Sequence, residues 1–129
     1  MAIRIVSGVN YRDHTLPLFI KHKILPIREN SELNILKLMF RCDCGDLPNC
    51  IKDFWRRNRE VSGREGRYAD RFYQENINAK YLENCPYFYF PKLYNDLPDD
   101  LKNLANEKEF TREVKSLLFG RLTEANQDR

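Results

Sequence analysis

The sequence predicts a single, mainly α-helical domain over residues 1–129, with five or six helices and a short extended pair near 70–83. Three observations carry this expectation. Apolar residues recur at helical spacing in two long stretches, Leu33, Leu36 and Phe40 in one and Phe110, Val114, Leu117, Leu118 and Leu122 in the other. Prolines stand where helices open, at Pro17, Pro26, Pro48 and Pro98. The 129 residues are 42% hydrophobic and 12% aromatic, which is enough chain and enough apolar surface for one core.

Taken in order, Thr15-Leu16-Pro17 reads as a cap and a first turn, and Leu16, Phe19 and Ile20 share one face of the short helix that follows. Pro26 opens the longest early helix, about 27–42, where Ile35, Leu38 and Met39 widen the apolar stripe and imply burial on more than one side. Cys44-Gly45-Asp46 stops it. Pro48 starts a helix from Asn49 to about Arg57, with Ile51, Phe54 and Trp55 directed inward. Residues 58–67 hold Gly63, Gly66 and alternating charge, and read as an exposed, mobile loop. Arg71 to Leu82 read as extended segments turning near Asn76–Asn78. Tyr87, Phe88, Phe90, Leu93, Tyr94 and Leu97 form a dense aromatic plug. Pro98-Asp99-Asp100 begins a short helix with carboxylates near its positive end. Asn106, with Glu109 three residues on, reads as a capping box at the head of the final helix.

The net charge of +3 is mild, but its distribution is not even. Residues 1–28 hold Arg4, Arg12, Lys21, Lys23 and Arg28 against Asp13 alone, a net of +4. Residues 52–71 hold seven cations against four acids, a net of +3. Basic charge therefore concentrates in the first half. No segment approaches the roughly 20 apolar residues of a membrane span. Met1 to Ile5 is too short and too polar for a signal peptide, so an intracellular protein, nuclear or cytoplasmic, is expected, with no membrane partner.

The sequence carries none of the familiar catalytic patterns. There is no Walker loop, no His-Glu-x-x-His and no Gly-x-Ser-x-Gly. His14, beside Asp13 and Thr15, reads as a turn residue, and His22, between Lys21 and Lys23, as a surface residue. Cys42, Cys44, Cys50 and Cys85 could supply four thiolates, but their spacing is not that of a zinc knuckle and no His lies nearby in sequence. Free thiols are expected, with no cofactor. Tyr68-Ala69-Asp70 spells most of a polymerase Tyr-x-Asp-Asp box, but Arg71 puts a cation where the second carboxylate belongs. Two-metal phosphoryl transfer needs several converging carboxylates, so the match reads as coincidence.

The order of pieces is more informative than any one of them. "AIRIVSGVNYRDHTLPLF" runs into "KHKILPIRENSELNILKLMFRC", then "LPNCIKDFW", later "PKLYNDLPDDLKN", and last "FTREVKSLLF". This series resembles the carboxy-terminal part of a non-LTR (LINE-type, jockey-like) retrotransposon reverse transcriptase. The resemblance rests on Arg4, Gly8, Arg12, His14, Thr15, Pro17, Leu18, Phe19, Leu25 and Pro26, and again on Pro91, Lys92, Leu93, Asn95, Leu97 and Pro98. It covers nearly the whole chain, but residues 56–85 match poorly. Tyr94 stands where the family usually has Trp, and "RNREVSGREGRYADR" replaces a usual Asn-Thr-Arg stretch.

The resemblance implies a region following the palm, the thumb and the helices behind it, which grips a primer–template duplex. The fingers and palm with their carboxylates lie upstream in the family, so no enzyme activity is expected here. The nucleic-acid-binding candidates are Arg4, Arg12, Lys21, Lys23, Arg56, Arg57 and Arg59, with RNA–DNA hybrid or RNA as ligand. Tyr11 and Trp55 could stack on bases, although Trp55 reads first as a core residue. For Arg56, Arg57 and Arg59 a plain solvated face is the standing alternative. A second reading is a domesticated protein-interaction module without polymerase activity, using Tyr87 to Tyr94 as its contact if that stretch is exposed.

Overall fold

Among the described residues three helices start directly after a proline, at Pro26, Pro48 and Pro98, and three end at a left-handed glycine, at Gly8, Gly45 and Gly63. The computed structural model describes residues 2–74 and 79–127. Among these residues, α1 (Ala2–Ser7) ends at Gly8, whose φ of +65° lies in the left-handed region. That turn lets the Gly8 N–H reach the Ile5 carbonyl and the Val9 N–H reach the Arg4 carbonyl. α2 (Leu16–Lys21) carries Pro17 in its first turn. α3 (Ile27–Cys44) follows Pro26 and ends at Gly45, φ +83°. There the Asp46 N–H bonds the Arg41 carbonyl at 3.0 Å and the Gly45 N–H bonds that of Cys42 at 3.2 Å, which satisfies carbonyls the helix leaves open. α4 (Asn49–Lys52) follows Pro48, and α5 is Asn58–Ser62. A 3₁₀ turn at Lys80–Leu82 precedes α6 (Pro86–Asn95). α7 (Asp99–Lys102) follows Pro98, and α8 is Glu107–Gln127. The Asn106 side chain accepts the Lys108 N–H at 3.2 Å and caps α8, but no bond from the Asn106 N–H to Glu109 closes the expected box among the described residues.

The mainly helical expectation holds, with eight α-helices among the described residues against five or six foreseen. The helices that periodicity did not single out are α1, α5 and α6. The aromatic plug is the helix α6, with Pro91 buried inside it. Proline there leaves the Tyr87 carbonyl without its helical donor, at the exposed start of the helix. Residues 58–67 are not all loop: α5 forms there, with the Glu60 carboxylate accepting the Arg57 N–H at its start at 3.4 Å.

The extended pair near 70–83 is a further correction. No strand occurs among the described residues; there is one isolated antiparallel bridge, Arg57 with Phe72. The backbone of 71–73 pairs backwards, with 56–58: the Asn58 N–H bonds the Arg71 carbonyl and the Tyr73 N–H bonds the Arg56 carbonyl. The same pairing holds Arg57 extended, so the helix foreseen to run to Arg57 stops at Lys52. The expected turn at Asn76–Asn78 lies outside the described residues.

The core forms where α3 meets α6 and α8; α2 and α7 also pack on α8, and α1 on α2. Met39, Phe40, Phe110 and Val114 are fully enclosed. The Phe40 and Phe110 rings stack with centroids 4.2 Å apart. The predicted α8 stripe is buried at Phe110, Val114, Leu118 and Leu122, while Leu117 is half-buried. On α3 the buried set is Leu33, Leu36, Met39, Phe40 and Cys42. No helix among the described residues is long and apolar enough to cross a membrane.

Candidate nucleic-acid interface

The seven predicted cations fall into two sequence-local groups with different fates. In the first, Arg4 is half-buried and its Nε donates to the Asp13 carbonyl at 3.0 Å, closing the loop between α1 and α2. Arg12, Lys21 and Lys23 are exposed. Arg12 lies on the exposed Tyr11, with its guanidinium 5.5 Å from the ring centre. Lys23 sits at φ +55°, past the end of α2, and shares a surface hollow with Lys115 of α8.

In the second group Arg56 is exposed, Arg59 is exposed and paired with Asp70 at 2.6 Å, and Arg57 is drawn into the fold. One Arg57 nitrogen meets the Asp43 carboxylate at 2.5 Å, and the other donates to the Asp70 carbonyl at 2.8 Å. Its guanidinium also lies 5.4 Å from the centre of the Phe72 ring. The second Asp43 oxygen accepts the Tyr94 hydroxyl at 2.7 Å. Asp43 is therefore a junction between the end of α3, the Arg57 bridge and α6. Beside it, the Asn95 amide clasps the Phe72 backbone, donating to its carbonyl at 2.9 Å and accepting its N–H at 3.3 Å. Arg57 is thereby a structural tie, with its fork largely used within the chain.

Sequence reasoning missed a second basic site next to this junction. A cavity of about 580 Å³ opens over Asp43 and Arg57 and is also lined by Arg67, Tyr68, Arg71 and Lys102. The Tyr68 ring, 49% exposed, carries two guanidinium groups, Arg71 at 4.4 Å and Arg67 at 5.7 Å. The signal was present as Arg-Tyr-Ala-Asp-Arg, two arginines four apart around a tyrosine, in the stretch that first reads as part of a polymerase box. Lys102 comes from α7, and its ammonium donates to the Asn95 carbonyl at 3.2 Å. Burial lowers the Lys102 pKa, opposed by Asp99 and reinforced by Arg71.

Of the aromatic candidates, Tyr11 is exposed, and Trp55 is half-buried against the core with its indole N–H bonded to the Pro86 carbonyl. Phe54 was expected inward and is 49% exposed, because the chain leaves the helical path after Lys52. In the aromatic stretch Pro91 and Tyr94 are buried, Phe88, Tyr89 and Phe90 are half-buried, and Tyr87 at the start of α6 is 56% exposed.

The remaining reactive groups are scattered. Ser7 Oγ and His22 Nε2 lie 2.8 Å apart on the surface between α1 and α2. No carboxylate bonds the other ring nitrogen among the described residues, so nothing fixes the imidazole as a base. Cys42 is buried, Cys44 and Cys50 are exposed and Cys85 is half-buried. Burial, and then the Asp43 charge in the case of Cys44, raises the pKa of the Cys44 thiol, and burial does the same for Cys42, so both favour the protonated form. No three His, Cys, Asp or Glu side chains among the described residues gather closely enough to hold a metal ion. A scan of family models and searches of curated proteins and of solved structures find no match to this chain.

Proposed function

We propose that this chain is a non-catalytic nucleic-acid-gripping domain, related to the region behind the palm of a retrotransposon reverse transcriptase. The observation that carries the reading is the pairing of exposed cations with exposed aromatic rings: Arg12 on Tyr11, and Arg67 and Arg71 on Tyr68. Such pairs offer a nucleic acid both a charge for its phosphates and a flat face for its bases. Arg56, Arg59, Lys21 and Lys23 extend the basic surface, whereas Arg57 and Arg4 serve the fold.

The test is fluorescence anisotropy of a labelled RNA–DNA hybrid across a salt series. Binding is expected to weaken linearly on a log–log plot, and each lost phosphate contact should flatten the slope by about 0.9 at most. Joint Arg56→Ala and Arg59→Ala should weaken binding while leaving the Asp43 junction intact. Absence of binding at low salt overturns the reading.

A further inference from the structure

The acids that line the cavity beside Asp43 are each engaged. Asp43 holds Arg57 and Tyr94, Asp70 holds Arg59, and Asp99 lies 3.7 Å from the Lys102 ammonium. Arg67 and Arg71 are not engaged: among the described residues neither guanidinium has an ion pair or a hydrogen bond. Two like charges nevertheless sit on one ring, and a third, on Lys102, enters the same cavity with only 12% of its side chain exposed. Like charges gathered in a half-enclosed space repel, and an anion between them removes the penalty.

We propose that this cavity is a binding site for a single phosphoryl group, held by Arg67, Arg71 and Lys102. The chemistry of the donors selects the ligand. Two guanidinium forks and an ammonium need at least three acceptor oxygens, which a tetrahedral phosphoryl group offers and a carboxylate does not. The engaged carboxylates beside them disfavour a highly charged polyphosphate. The cavity has room for the group to which the phosphate is attached. The phosphoryl group can be the terminal phosphate of a nucleic-acid strand, which rests on the function proposed above, or that of a small phosphorylated molecule, which does not; an internal phosphodiester, with two free oxygens, does not meet the requirement.

The experiment is an NMR titration of the full chain with inorganic phosphate, following the arginine side-chain N–H resonances, with chloride at matched ionic strength as control. Saturable shifts at Arg67 and Arg71 are expected with phosphate only. Arg71→Gln should weaken the site about tenfold, and Arg67→Gln is the second variant, with thermal melts checking that both fold. Shifts that do not saturate, that chloride reproduces, or that survive in both variants overturn the proposal. A parallel titration with a 5′-phosphorylated oligonucleotide already added assigns the source. Displacement of phosphate by the strand makes the strand the ligand, and retention of phosphate makes the ligand a small molecule; the site stands in both cases. Because the first titration contains no nucleic acid, its result is independent of the hybrid-binding test.

Discussion

The Tyr94 hydroxyl donates to Asp43 across 51 residues of sequence, at 2.7 Å, and joins the middle of the chain to the end of α3. Removing it in Tyr94→Phe leaves the ring in the core and Asp43 still held by Arg57. A loss of about 1.5–3 kcal/mol in urea unfolding is expected, the scale of a hydrogen bond to a charged acceptor. The same variant isolates a pH effect. Burial, then the Asp43 hydrogen bond and charge, push the phenol pKa well above its ordinary value. The folded chain thus holds this proton more tightly than the unfolded chain does. Its contribution is complete below pH of about 10 and is lost as pH rises beyond that. Wild-type stability should therefore fall more steeply above that pH than that of Tyr94→Phe.

Arg57→Ala removes the partner of Asp43 and the donor to the Asp70 carbonyl together. Both side chains of the pair are partly shielded, so the cost should exceed that of a surface ion pair, at about 2–3 kcal/mol. Arg57→Lys should recover less than half of it, because an ammonium cannot span both acceptors. Chemical denaturation of the two variants checks the ranking.

How much of this was legible in advance depends on the range of the forces. The prolines, Gly45 and the α8 stripe act over one or two helical turns, and they placed α2, α3, α7 and α8 correctly. The Asp43 junction joins residues 14 and 51 positions apart, and no local pattern announces it. Arg57 therefore read as a phosphate contact although it is spent on the fold. Phe54 and α4 were misread for the same reason: the bridge from Arg57 to Phe72 overrode a helix that local propensity would have continued. The Arg67–Tyr68–Arg71 stack is local, and its charges count in the basic stretch 52–71, but that both guanidiniums meet one ring beside Lys102 depends on the fold.

Asn95→Leu should unfasten the segment around Phe72, whose N–H and carbonyl both bond that one amide. The expected loss is about 1–3 kcal/mol, since both backbone groups lose their partner. Hydrogen exchange at the Phe72 amide should accelerate more than at amides in the centre of α8, which separates local release from general destabilisation.

Phe40→Ala and Phe110→Ala each empty half of the enclosed stack. Each should cost about 3–5 kcal/mol. The double variant should cost less than their sum, with a coupling of about 0.5–1.5 kcal/mol from the ring pair. Thermal or urea melts of the four-member cycle measure it.

Gly45→Ala forces a side chain into the left-handed turn that ends α3. The nearest atom to the added methyl is the Lys52 ammonium at 3.7 Å, so crowding is absent and only backbone strain remains. A loss of about 1 kcal/mol is expected, within reach of a careful denaturation series.

The bridge between Arg57 and Phe72 has a consequence for how this chain can change. It pins the two ends of residues 58–71 together, so the length of the stretch between them is nearly decoupled from the helices beneath. Doubling such a closed loop costs only about 0.6 kcal/mol in chain entropy. Arg64, Arg67 and Tyr68, which lie inside the loop, can be gained, lost or respaced by insertion while Arg71, Phe72 and Asn95 keep their places. The stretch is an exchangeable cassette mounted on a fixed frame, and its surface charge can change without touching the core.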